Sequence, residues 1–120
     1  MDVRSQDFGY DINFTVVESD GTTPVNLDDT TIKFNVVEVD SRRLIFSGSA
    51  VIVSETNGTC KYTVASTDFT KAGNYKGALV ISWYTGTTVI KTVTTKDIFI
   101  TVTKKIAWME TIINGTIIIE

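Results

Sequence analysis

The stretch Asn74-Tyr75-Lys76-Gly77-Ala78-Leu79-Val80-Ile81-Ser82-Trp83-Tyr84 decides how the whole chain is read. Tyr75, Gly77, Leu79, Ile81 and Trp83 fall on one side of it, and Lys76, Ala78, Val80 and Ser82 on the other. A period of two belongs to a pleated strand, whose successive side chains point to opposite faces. It is the longest such run in the chain and reads as a central strand.

The same period recurs on either side. Upstream, Tyr10, Ile12, Phe14 and Val16 alternate with Asp11, Asn13 and Thr15, and Ile32, Phe34 and Val36 alternate with Lys33 and Asn35. Turn residues separate these runs at Ser19–Pro24, Asp28–Thr31 and Asp40–Arg43, where short polar side chains bond the local backbone. Leu44 to Val53 is extended but interrupted at Gly48, which predicts a bulge or a break. Asn57-Gly58 suits the two positive-φ positions of a type I′ turn, so 50–64 is predicted to be a hairpin carrying Cys60, Tyr62 and Val64 on its returning strand. Ser66 to Gly73 has helical start and stop signals, with room for only a turn or two. Downstream, Thr85-Gly86-Thr87 turns into a Thr-rich strand at 88–95, and Ile98, Ile100 and Val102 mark another.

About seven strands with a turn every 8–12 residues predict an immunoglobulin-like antiparallel β-sandwich over residues 1–105. Composition agrees. Thr, Val and Ile make up two-fifths of the 120 residues, and such β-branched side chains lose rotamer freedom in helices while packing well on a sheet. The chain is one domain in length and large enough to fold without metal or disulfide.

Charge and residue inventory remove several function classes. A net charge of −3 and a pI near 4.9 oppose sequence-independent attraction to nucleic acid or anionic lipid, so neither is an expected partner. Arg42-Arg43 and Lys104-Lys105 are the only basic pairs and read as turn and strand-end charges. No apolar run could span a bilayer, and the opening Met1-Asp2-Val3-Arg4 leads into polar sequence, so synthesis in a cytoplasm is expected. Cys60 is the single cysteine and is expected to be a buried small hydrophobe.

There is no histidine, hence the most common general base at neutral pH and the usual metal ligand are both missing, and no nucleophile elbow or phosphate loop occurs. No catalytic, metal or cofactor site is expected. A carboxylate pair drawn from Asp11, Asp28, Asp29 or Glu38 is the formal route to a glycosidase. Asp20, Asp28, Asp29 and Asp40 would bind calcium if their turns converged, but turn-capping is the expected role. Three Asn-x-Thr triplets, at Asn13, Asn57 and Asn114, read as chance in a Thr-rich chain. Trp83 and Tyr84 point to opposite faces of one strand, which limits them as a sugar platform, and Trp83 is expected beside Ile81 in the core.

Past the last counted strand, residues 106–120 are expected to form an apolar β-hairpin or assembly arm around a second Asn-Gly turn. Ile106, Trp108, Met109, Ile112, Ile113, Ile117, Ile118 and Ile119 are its expected contact residues. Unpaired strand edges readily accept another chain, so this segment is expected to pack on a neighbouring subunit or to complete the domain's own sheet.

Two stretches carry a family likeness. Phe8-Gly9-Tyr10-Asp11-Ile12-Asn13-Phe14-Thr15-Val16, then Asp20-Gly21, Pro24-Val25-Asn26-Leu27 and Thr31-Ile32-Lys33-Phe34, resemble the N-terminal domain of the phage baseplate upper protein family. Asn57-Gly58-Thr59-Cys60-Lys61-Tyr62, Asp68-Phe69 and Ala72-Gly73-Asn74-Tyr75 resemble the same family's hairpin, acidic turn and AG-x-Y step. The likeness spans roughly residues 8–103. The last step also looks like the tyrosine corner of immunoglobulin-like domains, with Gly77 where antibody domains place a disulfide cysteine. The resemblance implies a virion structural protein, not an enzyme, that docks onto other phage structural proteins, with a symmetric homo-oligomer compatible. A capsid decoration or neck protein, or a carbohydrate- or receptor-binding adhesin module, stands as the alternative.

Overall fold

The computed structural model describes residues 1–5 and 7–103. Among them are eight strands and no helix: β1 (Asp2–Arg4), β2 (Asp11–Thr15), β3 (Thr30–Glu38), β4 (Leu44–Ser54), β5 (Thr59–Thr63), β6 (Gly73–Thr85), β7 (Thr88–Thr94) and β8 (Ile98–Thr103). They follow one hydrogen-bonded path, β1-β8-β6-β3-β4-β5-β2, with β7 also paired to β6. The segment 106–119 lies outside the described residues.

β4 turns that path into two layers. Its first part, from Leu44 to Ala50, pairs with β3, while Val51, Ile52 and Ser54 pair with β5 across a register shift. Such an irregularity bends a strand and increases its twist. The result is a curled β-sandwich, continuous through β4 rather than built from two separate sheets. One layer holds β1, β8, β6, β7, β3 and the start of β4, and the other holds the end of β4, β5 and β2. Every pairing is antiparallel except β1 with β8, which is parallel, Asp2 lying opposite Thr101 and Arg4 opposite Thr103.

The period-two pattern becomes the core directly. Ile32, Phe34 and Val36 of β3 are buried, as are Tyr75, Leu79 and Ile81 of β6, Cys60 and Tyr62 of β5, and Ile100 and Val102 of β8. Phe34, wholly buried, is the hub of an aromatic cluster with ring centroids 5.1 Å from Phe14, 5.3 Å from Tyr62 and 5.8 Å from Phe46. Burying a side chain of this size is worth about 1.5–3 kcal/mol, with roughly 0.5–1.5 more for each well-oriented ring pair.

Three expectations need correction. Gly48 neither breaks nor bulges β4: it pairs in register with Phe34, and a Cβ there would come within 2.7 Å of the Tyr62 Cζ. The glycine makes room for a ring. Asn57-Gly58 does not form a type I′ turn, because only Gly58 has positive φ (68°). Gly58 is instead held under the end of β2, where it accepts a hydrogen bond from the Val16 amide at 2.8 Å and a Cβ would lie 2.5 Å from the Val16 carbonyl oxygen. Ser66–Gly73 contains no helix. The Asp68 carboxylate reaches back to the Ala65 amide (2.8 Å) and accepts the Tyr62 hydroxyl proton (2.5 Å), so it anchors a buried turn instead of capping a helix. β1 is an element that alternation alone did not reveal.

Candidate assembly surface

The features open to a partner come from strands left without a neighbour. β7 pairs only with β6 among the described residues, and all seven of its residues are exposed. Thr85, Gly86 and Thr87 carry β6 around into it, with Gly86 at φ 62°. Val89 and Ile90 stand 49% and 64% exposed, and the register shift opposite Trp83/Tyr84 sets Ile90 out of the ladder. β8 adds Phe99 at 69% exposure. Isolated exposed apolar residues are ordinary, but an apolar row on an open strand edge is a template for another chain.

The other layer ends at β2, which pairs only with β5 among the described residues. Because Tyr10 and Val16 bond across to Val64 and Gly58, the even-numbered residues of β2 direct their amides and carbonyls toward β5. Those of Asp11, Asn13 and Thr15 therefore face the open edge. Between that edge and the facing layer runs a groove of about 740 Å³, walled by Phe14, Val25, Leu79, Ile81, Trp83 and Val93. It exists because the layer of β5 and β2 is narrower than the layer it covers.

Trp83 lies half-buried against the core, its Nε1 donating to the Asn26 carbonyl at 3.2 Å. The Lys91 ammonium sits 4.6 Å above its ring, so this face of the indole is covered rather than presented to a sugar. Tyr84, on the opposite face, accepts a hydrogen bond from the Thr31 hydroxyl at 3.3 Å.

Of the carboxylates singled out by sequence, only Asp28 and Asp29 come together. Asp11 is bonded to Thr63 (2.5 Å) and paired with Lys61 (3.5 Å), which hold its pKa below the usual value, the Thr63 bond most strongly. Asp20 caps its own turn, accepting from the Thr22 and Thr23 amides (2.9 Å each) and from the Thr23 hydroxyl, and its pKa falls to about 2. Asp28 and Asp29 line one opening with Glu55, whose pKa is raised chiefly by the negative charge of Asp28. Glu38 ends β3 eight residues from Thr30, roughly 26 Å away along a strand, too far to pair with Asp28 or Asp29 in a glycosidase. Among the described residues no group of three or more His, Cys, Asp or Glu side chains is placed to hold a metal ion. Cys60 is buried, and burial raises its thiol pKa.

Tyr75 completes the local comparison with immunoglobulin-like domains. Its hydroxyl donates to the Lys71 carbonyl at 2.7 Å, a bond from the start of a long central strand back to the corner that feeds it. This is the geometry of a tyrosine corner.

The family model described as the BppU N-terminal domain, the baseplate upper protein family, matches residues 2–120. The chain belongs to that family. Among solved structures, the N-terminal domain of phage TP901-1 ORF48 shares the fold, with a TM-score of 0.66 and 20% sequence identity over 84% of this chain and 81% of that one. No curated protein sequence matches significantly. Membership makes this BppU-type domain a structural component of a phage baseplate, and hence of the virion. The interaction residues expected from sequence, Ile106, Trp108, Met109, Ile112, Ile113, Ile117, Ile118 and Ile119, lie outside the described residues. The open edges of β2 and β7 escaped the sequence reading, because alternation marks a strand without saying whether it has one neighbour or two.

Proposed function

We propose that this domain docks onto neighbouring proteins of the phage baseplate and supports their assembly, using open strand edges as its contact surfaces. The observation that carries this reading is β7, which pairs only with β6 among the described residues and whose residues are all exposed, with Val89 and Ile90 presented to solvent. A partner strand laid along it would gain main-chain hydrogen bonds and cover apolar surface together. Phage structural proteins are the expected partners, and the apolar segment 106–119 is a second contact surface in the same reading.

The test replaces Val89 and Ile90 with lysine in the intact chain and measures co-elution with the other baseplate proteins of the same phage. Both residues are exposed, so the unfolding free energy should change by no more than about 0.5 kcal/mol. Loss of co-elution with the fold intact is the expected result. Undiminished co-elution would remove β7 from the interface.

A further inference from the structure

The edge beside β7 is a slot closed at one end. β3 takes one edge of β6, and the other edge is shared by β8, at Gly73–Gly77, and β7, at Val80–Thr85, so β7 and β8 lie in one line. β1 covers the outer side of that line at Thr101–Thr103. Beside the seven residues of β7 the same side is uncovered among the described residues, over about 23 Å. The Thr95 amide donates to the Leu79 carbonyl at 2.9 Å, and bonded positions alternate along an antiparallel pair. Lys91 and Val93 therefore turn their amides and carbonyls to β6, while Thr92 and Thr94 turn theirs into the slot.

The slot carries charge of one sign. Thr88 to Lys96 holds two lysines, Lys91 and Lys96, and no carboxylate, in a chain of net charge −3. Both lysines are exposed and neither forms an ion pair among the described residues, while the next residue, Asp97, is paired with Lys76 at 3.7 Å. Lys91 lies opposite Trp83 with its ammonium over the indole, on the same face as Val93, which is 40% exposed. Resting on the assembly reading above, we infer that the strand paired with β7 belongs to a different protein and carries an acidic side chain facing Lys91, with an apolar one beside it against Val93. A second copy of this chain would bring two more lysines and no carboxylate to the same short ladder, where like charges across the pair are unfavourable. Lysine on an open edge discourages that kind of self-pairing. An acidic strand meets the opposite balance. Its carboxylate is attracted to Lys91, its backbone bonds Thr92 and Thr94, and its apolar side chain covers Val93.

Equilibrium binding of the intact chain to the purified baseplate proteins of the same phage tests this with three variants. Thr92→Pro removes an amide that points into the slot and leaves the β6–β7 bonds in place, a position where an edge strand accepts proline. It should weaken binding at least about tenfold, and Thr94→Pro, which removes the other such amide, takes its place if Thr92→Pro does not fold. Lys91→Glu should weaken binding at least about tenfold with an unchanged melting temperature, Lys91→Arg should stay within about threefold of the parent, and the parent's binding should fall as salt is raised. Undiminished binding of the folded proline variant would take β7 out of the interface and remove the assembly reading beneath the inference. Loss with proline but full binding with Lys91→Glu would keep β7 as the contact and overturn the acidic strand. Two results on the isolated chain would overturn it as well. One is dimerisation in sedimentation that the proline variant abolishes, since a second copy then fills the slot. The other is amide exchange at Thr92 and Thr94 slowed about a hundredfold or more in the monomer, since the chain then covers its own edge.

Discussion

The rings at the centre of the sandwich fit because two glycines make room for them, Gly48 opposite Phe34 on β4 and Gly77 on β6. A Cβ at Gly77 would approach the Phe34 Cε1 to 2.7 Å, and one at Gly48 would meet the Tyr62 ring. Both rings are locked by neighbouring rings, so neither can step aside cheaply. Gly48→Ala and Gly77→Ala should each lower the unfolding free energy by about 1–3 kcal/mol, with an unchanged denaturant slope. Guanidinium titration measures both quantities. Two exposed carboxylates carry opposite pH signatures. Asp20 has a folded pKa of about 2, below its unfolded value of 3.8, so its contribution is present above the unfolded value and is lost as pH falls through about 2. Asp20→Asn should therefore melt lower than the parent at pH 6 and converge with it near pH 2. Glu55 has a raised folded pKa, so it favours folding below the unfolded value and opposes it once both states are ionised. Glu55→Gln should melt higher than the parent at pH 7 and match it in acid below the unfolded carboxylate pKa. Thermal melts across that range separate the two signs.

At the scale of elements, the tyrosine corner ties the irregular 64–72 segment to the strand that follows it. Tyr75→Phe removes only the hydroxyl bond to the Lys71 carbonyl and should cost about 0.5–1.5 kcal/mol, read from the shift in denaturation midpoint. This element was legible in the sequence through the Ala72-Gly73-Asn74-Tyr75 step, and the strands from Asp11 to Thr103 were legible through their alternation. What alternation could not carry is partnership. Asp2-Val3-Arg4 is too short to display a period, and its parallel partner, β8, lies about a hundred residues away, so nothing local announces β1. Gly48 misled for a related reason. A glycine in a strand marks either a bent backbone or a ring from the next strand, and only the register of Tyr62 on β5 distinguishes them. Asp68 has the residue type of a helix cap, and its burial beside Tyr62 turned it to another use. The candidate surface was hidden in the same way, because exposure of β7 depends on what fails to pack against it.

Across the whole molecule, the first and last described strands meet. Asp2 pairs with Thr101, Val3 with Val102 and Arg4 with Thr103, and the backbone amide of Thr101 also donates to the Met1 carbonyl at 2.8 Å. Closing so long a loop costs chain entropy before its contacts repay it, and topologies dominated by such pairings fold in about milliseconds to seconds. The interior pairings of β3 with β4 and of β4 with β5 close much shorter loops and bury the aromatic cluster without needing β1. β1 should therefore dock after the rate-limiting step, although Val3 is only 4% exposed in the finished fold. Val3→Ala then has a kinetic signature distinct from its equilibrium cost. The unfolding free energy should drop by about 1–2 kcal/mol, with the unfolding rate rising by roughly five- to thirtyfold and the refolding rate nearly constant. Stopped-flow chevrons measure both arms. A loss carried mainly by slower refolding would mean instead that the parallel β1–β8 pair belongs to the nucleus, and that the two ends of the sandwich are joined before its aromatic centre is closed.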